Sequence, residues 1–187
     1  MRIQDVRRVA AALIAIVALA APAMATEPPR TTRDDLVGAW HLVRIDVQGL
    51  AGSEVDPFYG SASEGLLIYD RDGWFSVQIM SAPRPALDVP ATRPSVTGGA
   101  EAAAKERALD SYYAYYGTWT FDAVASTVTH HASGALYPSE SRVTYTQKVA
   151  VKGSQMTFTR TQGMPPHQTI QTKLWERIPT PPLPAAR

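Results

Sequence analysis

Cysteine is absent from all 187 residues. Disulfide staples, thiolate nucleophiles and cysteine metal ligands are therefore excluded. So is the lipid anchor that an exported bacterial protein carries on a cysteine at its cleavage site. Histidine is scarce: His41, His130, His131 and His167 are the whole set, and no His-x-His or His-Glu-x-x-His spacing occurs. No metal and no cofactor is expected. Charge of one sign is lacking too, with 18 basic against 17 acidic residues. Without a basic excess the chain cannot neutralise a phosphate backbone, which argues against nucleic acid. It also argues against docking on anionic lipid by charge. There is no Gly-x-Ser-x-Gly nucleophile elbow. No glycine-rich phosphate loop is present, since Gly98-Gly99 ahead of a helix is too little to make one.

The one long apolar run lies at the start. Arg2, Arg7 and Arg8 precede residues 9–21, which are all Val, Ala, Leu or Ile, and Ala23-Met24-Ala25 follows. A positive segment, a short apolar run and small residues at the cut describe a secretory signal peptide, with cleavage expected near Ala25. The run is shorter than the roughly 20 residues of a spanning helix, so no membrane span is expected after processing. Arg7-Arg8 lacks the flanking residues of a twin-arginine leader. Removing Arg2, Arg7, Arg8 and Asp5 leaves 15 basic and 16 acidic residues. The expected location is periplasmic or secreted. Residues 26–33 read as a flexible segment, 34–178 as one folded domain and 179–187 as a Pro-rich tail.

Within 34–178 the pattern is that of strands. Runs over 36–47, 65–69, 74–80, 118–121, 127–132, 142–151, 156–160 and 169–177 are rich in Val, Thr and aromatic residues. Asp72-Gly73 marks a hairpin between the second and third. Residues 49–63 read as a loop with turns at Gly49, Gly52, Asp56-Pro57 and Gly60. Residues 82–99 form a Pro-rich loop. A helix is expected over 100–116, with Glu101 and Lys105 at i,i+4. Leu109, Tyr112, Tyr113 and Tyr116 would form its apolar stripe, and Gly117 its C-cap. Eight strands in meander order with one helix between the third and fourth predict an all-β, up-and-down antiparallel barrel. A two-sheet sandwich is the competing fold.

Several segments carry a family likeness. They are Leu36-Val37-Gly38-Ala39-Trp40-His41-Leu42-Val43, Gly65-Leu66-Leu67-Ile68-Tyr69 with Asp72-Gly73-Trp74-Phe75-Ser76-Val77-Gln78, Tyr112-Tyr113-Ala114-Tyr115-Tyr116-Gly117, Thr127-Val128-Thr129-His130-His131 and Leu174-Trp175-Glu176-Arg177. In this order the chain resembles the bacterial lipocalin-like domain proteins of the calycin group. The resemblance implies that Trp40 plugs one barrel end and that Arg177 packs over it, with Lys173 as a second candidate. It also implies binding of a small, largely apolar molecule. The long Pro-rich segment departs from the pattern and could reshape the mouth.

The candidate ligand-binding residues are Trp74, Gln78, Tyr112, Tyr116, His130 and Arg142. Adjacent strand residues face opposite ways, so at most one of His130 and His131 enters the lumen, and the two cannot share a metal. An ordinary structural histidine is the plainer reading of either. Tyr112 and Tyr116 could hang over a barrel mouth, with the helix and Pro-rich loop as a cover; plain packing is the alternative. Gln78, Arg142, Lys148 and Gln171 lie among apolar neighbours, on a face that the sequence leaves open. If Trp40 points inward, Leu42 and Arg44 follow by alternation. An inward Arg44 would need a carboxylate or a ligand acid group. No catalytic residue is assigned. The expected function is binding of a small hydrophobic or amphipathic ligand in the barrel. The rivals are a barrel enzyme (isomerase, cyclase or hydrolase) using a lumen His/Tyr pair, and an envelope module without a pocket. Oligomeric state is left open.

Overall fold

The computed structural model describes residues 30–49, 52–84 and 100–180. The expected leader, most of the Pro-rich loop and most of the tail lie outside these residues. A short helix α1 (Arg33–Leu36) leads into β1 (Gly38–Gly49), β2 (Gly52–Val55), β3 (Glu64–Tyr69) and β4 (Trp74–Met80). Helix α2 (Ala100–Asp110) follows, then β5 (Tyr112–Asp122), β6 (Thr127–Ala135), β7 (Thr144–Lys152), β8 (Gln155–Gln162) and β9 (Thr169–Arg177). Each strand pairs antiparallel with the next around the ring, and β9 returns to β1 along Trp40↔Arg177 to Gln48↔Ile170. The eight-stranded ring of β1 and β3–β9 is a closed up-and-down barrel, which leaves no exposed sheet edge in the ring.

Alternation sets the faces. Phe75, Val77 and Ile79 of β4, Val128, His130 and Ala132 of β6, and Met156 and Phe158 of β8 are buried inside. Their odd-spaced neighbours face out. Burying each large apolar side chain of this set contributes about 1.5–3 kcal/mol.

Three expectations need correction. The helix stops at Asp110, and residues 112–116 belong to strand β5. Leu109, Tyr112, Tyr113 and Tyr116 are thus no helical stripe. A Tyr/Thr/Trp-rich run prefers a pleated surface, and Tyr113, Tyr115 and Trp119 fall on one face by a period of two. Gly117 is no cap: it sits at a register shift between β5 and β6, where a Cβ would lie 2.0 Å from the His131 carbonyl oxygen. Second, the loop over 49–63 contains β2, which pairs with the end of β1 beside the ring. This extra strand places the helix between β4 and β5. Third, a bulge between Leu42 and Arg44 reverses the parity of β1. Ile45 is buried instead, and Arg44 faces out to pair with Asp46 at 2.7 Å.

One end of the barrel is sealed. Thr32 and Asp35 form a reciprocal capping box on α1, and Leu36 behind it is fully buried. The Trp40 indole donates to the Leu36 carbonyl at 2.9 Å. The Arg177 guanidinium lies 4.1 Å from the Trp40 ring centre and donates to the carbonyls of Val37 and Asp35. Gly38 is required beneath it. Its φ is +131°, and a Cβ there would meet Arg177 Nη1 at 2.8 Å. Arg33 packs 4.5 Å over the Trp119 ring and completes the floor.

Candidate functional site

Above the floor the barrel axis is crossed by three hydrogen-bonded side chains. His130, on β6, is buried with its ring stacked 4.1 Å from Phe75 at 19°. The Tyr69 hydroxyl lies 2.5 Å from His130 Nε2, and the Tyr115 hydroxyl lies 2.8 Å from Nδ1. Burial, with the nearby Lys173 and His131, lowers the His130 pKa to about 3, so the ring is neutral. A neutral imidazole has one acceptor and one donor nitrogen. Tyr69 is buried and has no other hydroxyl partner among the described residues. Its hydroxyl therefore donates to Nε2, since an orphaned buried donor is costly. Nδ1–H then donates to the Tyr115 oxygen. The proton of the Tyr115 hydroxyl is left to point elsewhere, and Tyr115 lines a cavity that Tyr69 does not reach. Burial raises the pKa of both phenols, so both remain protonated.

That cavity has a volume of about 40 Å³. Tyr115, His130, Tyr145, Gln147, Arg160 and Lys173 give it polar walls, with Leu67, Val77 and Phe158 between them. It is large enough for a few water-sized groups and too small for a whole organic ligand. Toward the open end lies a vestibule of about 270 Å³ that shares four of its lining residues, Ile79, Tyr113, Arg160 and Lys173, with the cavity. Phe58 and Tyr59 overhang the vestibule on one side, Tyr137 and Glu140 on another. Asp56 fixes the overhang. One carboxylate oxygen accepts from the backbone N–H groups of Phe58 and Tyr59 at 2.9 and 3.2 Å, and the other from Gln171 Nε2 at 2.9 Å.

Lys173 and Arg160 face the lumen from neighbouring strands. Register pairs Lys173 with Phe158 and Arg160 with Gln171, so the two cations are diagonal neighbours on the inner face. Burial, reinforced by Arg160 and partly offset by Asp56, lowers the Lys173 pKa to about 8. The Arg160 guanidinium lies 5.3 Å from the Tyr145 ring centre.

The expected site residues are not gathered in one place. His130 is in the lumen. Trp74, Gln78, Tyr112 and Tyr116 share the outer parity of β4 and β5, and Trp74 and Tyr116 are each 54% exposed. Gln78 and Tyr112 lie in a shallow outer groove with His41 and Glu64. The Tyr116 ring covers Gly134 from outside. Arg142 lies in the turn before β7, exposed and with φ at +70°, so it is no strand residue. Of the other polar residues considered, Gln171 faces the mouth and Lys148 faces out, donating to the Ala125 carbonyl. Lys173 lines the lumen, and it is Arg177 that lies over Trp40. Tyr69, Tyr115, Arg160 and Lys173 complete the inner set. Sequence alternation could have joined Tyr113 with Tyr115, and Phe158 with Arg160, once a strand rather than a helix was assigned over 112–116.

Among the described residues the closed antiparallel barrel is sealed at one end and open at a polar, aromatic mouth at the other, a fold compatible with binding a small ligand. The chain belongs to the Lipocalin-like domain family, whose sequence model matches residues 37–178. A comparison with curated proteins gives no match. No helix among the described residues is long and apolar enough to cross a membrane. No group of three or more His, Asp or Glu among them is placed to hold a metal ion.

Proposed function

We propose that this is an exported binding protein, periplasmic or secreted after cleavage near Ala25, which takes a small amphipathic molecule through the open end of the barrel. The 270 Å³ vestibule at the mouth, which shares Ile79, Tyr113, Arg160 and Lys173 with the 40 Å³ polar cavity, carries this reading. Ligand sites commonly span about 300–1,000 Å³, and the two spaces together lie near the lower limit. The head of the molecule enters the inner cavity, and its apolar part rests against Ile79, Tyr113, Phe58 and Tyr59. An envelope module without a pocket would need no such opening. Native mass spectrometry of protein purified from the cells that make it tests the proposal. A single co-released small molecule supports it. Bare protein that also binds no apolar probe favours the module.

A second reading, a barrel enzyme, is favoured by the Tyr69–His130–Tyr115 relay. Its geometry aims a phenolic proton at the cavity, where it would polarise a carbonyl or protonate a leaving oxygen. His130 would act as a neutral relay, because its low pKa makes it a poor base. In this reading Tyr115→Phe abolishes turnover of the native ligand and preserves its binding. Unchanged turnover removes it.

A further inference from the structure

We infer that the site selects an anion, a small monocarboxylate whose head sits between Lys173 and Arg160 and whose carbon chain runs out toward Phe58 and Tyr59. This rests on the barrel-binding reading and adds the chemical class of the ligand.

The inner cavity wall carries two charged side chains, and both are cations. Neither is in an ion pair among the described residues, where the ion pairs involve His41, Arg44 and Arg71. The carboxylates nearby are differently placed. Asp56 lines neither space, and both of its oxygens are occupied by Phe58, Tyr59 and Gln171. Glu140 lines only the outer vestibule. Charge is thus segregated along the axis, with cations inside and, at the rim, the Glu140 carboxylate, which Tyr113 hydrogen-bonds and whose Oε2 is buried without a partner. Such cations, partly desolvated and unpaired, are costly unless something answers them.

The uncharged groups on the same wall are also short of acceptors. The Tyr115 hydroxyl proton is directed away from His130 by the relay described above. The Trp175 indole N–H is buried with no acceptor. A carboxylate satisfies these groups well: it accepts two bonds from a guanidinium and one from an ammonium, and such charge-assisted bonds are short and strong. A neutral alcohol would leave both cations unanswered. An alkylammonium would place a third cation among them. The 40 Å³ volume favours a carboxylate head over bulkier phosphate or sulfate esters.

Calorimetric titration at pH 7 with octanoate, octan-1-ol and octylammonium tests the inference. Octanoate is expected to bind at least tenfold more tightly than octan-1-ol, and octylammonium more weakly than either. Lys173→Met and Arg160→Met, separately, should each remove most of that preference, read as the ratio of octanoate to octan-1-ol affinity in the same variant; the two variants guard against one of them misfolding. Equal affinity for octanoate and octan-1-ol overturns the anion inference and leaves barrel binding standing. Tighter binding of octylammonium does the same. If none of the three binds, the barrel-binding reading falls, and the inference with it.

Discussion

The Tyr115 hydroxyl and His130 Nδ1 lie 2.8 Å apart, and the direction of that bond is set by a third residue, Tyr69, on the far side of the ring. Because Tyr69 can donate only to Nε2, His130 donates to Tyr115. The two phenols are therefore unequal. Tyr69→Phe orphans a buried imidazole nitrogen and should cost about 1–3 kcal/mol. Tyr115→Phe leaves Nδ1–H beside the cavity, where water can answer it, and should cost less. Urea denaturation of both variants checks the order. A larger loss for Tyr115→Phe would reverse the assigned bond direction.

His130 also makes stability depend on acid. Its folded pKa is about 3, against an ordinary value of 6.5. Between these pH values the unfolded chain binds the extra proton, so stability falls as pH drops below 6.5 and this loss is complete near 3. The full effect is on the order of 5 kcal/mol by linkage. His130→Gln should flatten that part of the stability–pH curve. Parallel curves for wild type and variant would show that His130 is not the titrating group.

The sealed end gives a separate expectation. Trp40→Ala should cost about 3–5 kcal/mol, as truncation of a buried aromatic does. Arg177→Ala should cost less. Their double-mutant cycle should show coupling of about 0.5–2 kcal/mol, from the guanidinium over the indole. Strict additivity would mean that the contact contributes nothing.

Lys173 should report on ligand charge through pH. Its pKa of about 8 in the folded protein means that it is charged at pH 7 and loses its proton above 8. Octanoate affinity should therefore fall between about pH 7 and 9, and Lys173→Met should remove that dependence. In the free protein the sign is the opposite. From about 8 to 10.5 the unfolded chain holds more protons, so stability rises with pH. Arg160, Asp56, Glu140 and His130 surround the site, and Tyr113, Tyr115 and Tyr145 face it. Burial holds Tyr113 and Tyr115 protonated beyond this window. An affinity that is flat across pH 7–9 would place the anion away from Lys173.

Much of the ring was legible in the sequence because a strand buried on one face writes a period of two. Asp72-Gly73 marked its hairpin, and Trp40 with Arg177 marked its closure. What stayed hidden was parity. The stripe at Leu109, Tyr112, Tyr113 and Tyr116 fits a period of 3.6, and the alternation of Tyr113, Tyr115 and Trp119 fits a period of two. Only pairing with β4 and β6 decides between them. The bulge after Leu42 turned Arg44 outward without any local signal. The site suffered most from this, since Trp74, Gln78, Tyr112 and Tyr116 carried the right chemistry on the outer face. The partners that meet His130 come from β3 and β5, and Lys173 and Arg160 from β9 and β8, so their meeting is a product of barrel closure.

Barrel binding at the open end is the central claim, and an NMR titration of the labelled protein with octanoate tests it most directly. The saturating shift changes are expected to centre on Ile79, Tyr113, Arg160, Gln171 and Lys173, with little movement at Trp74, Gln78 and Tyr116. Changes confined to that outer set, or none at any concentration below micelle formation, would contradict it.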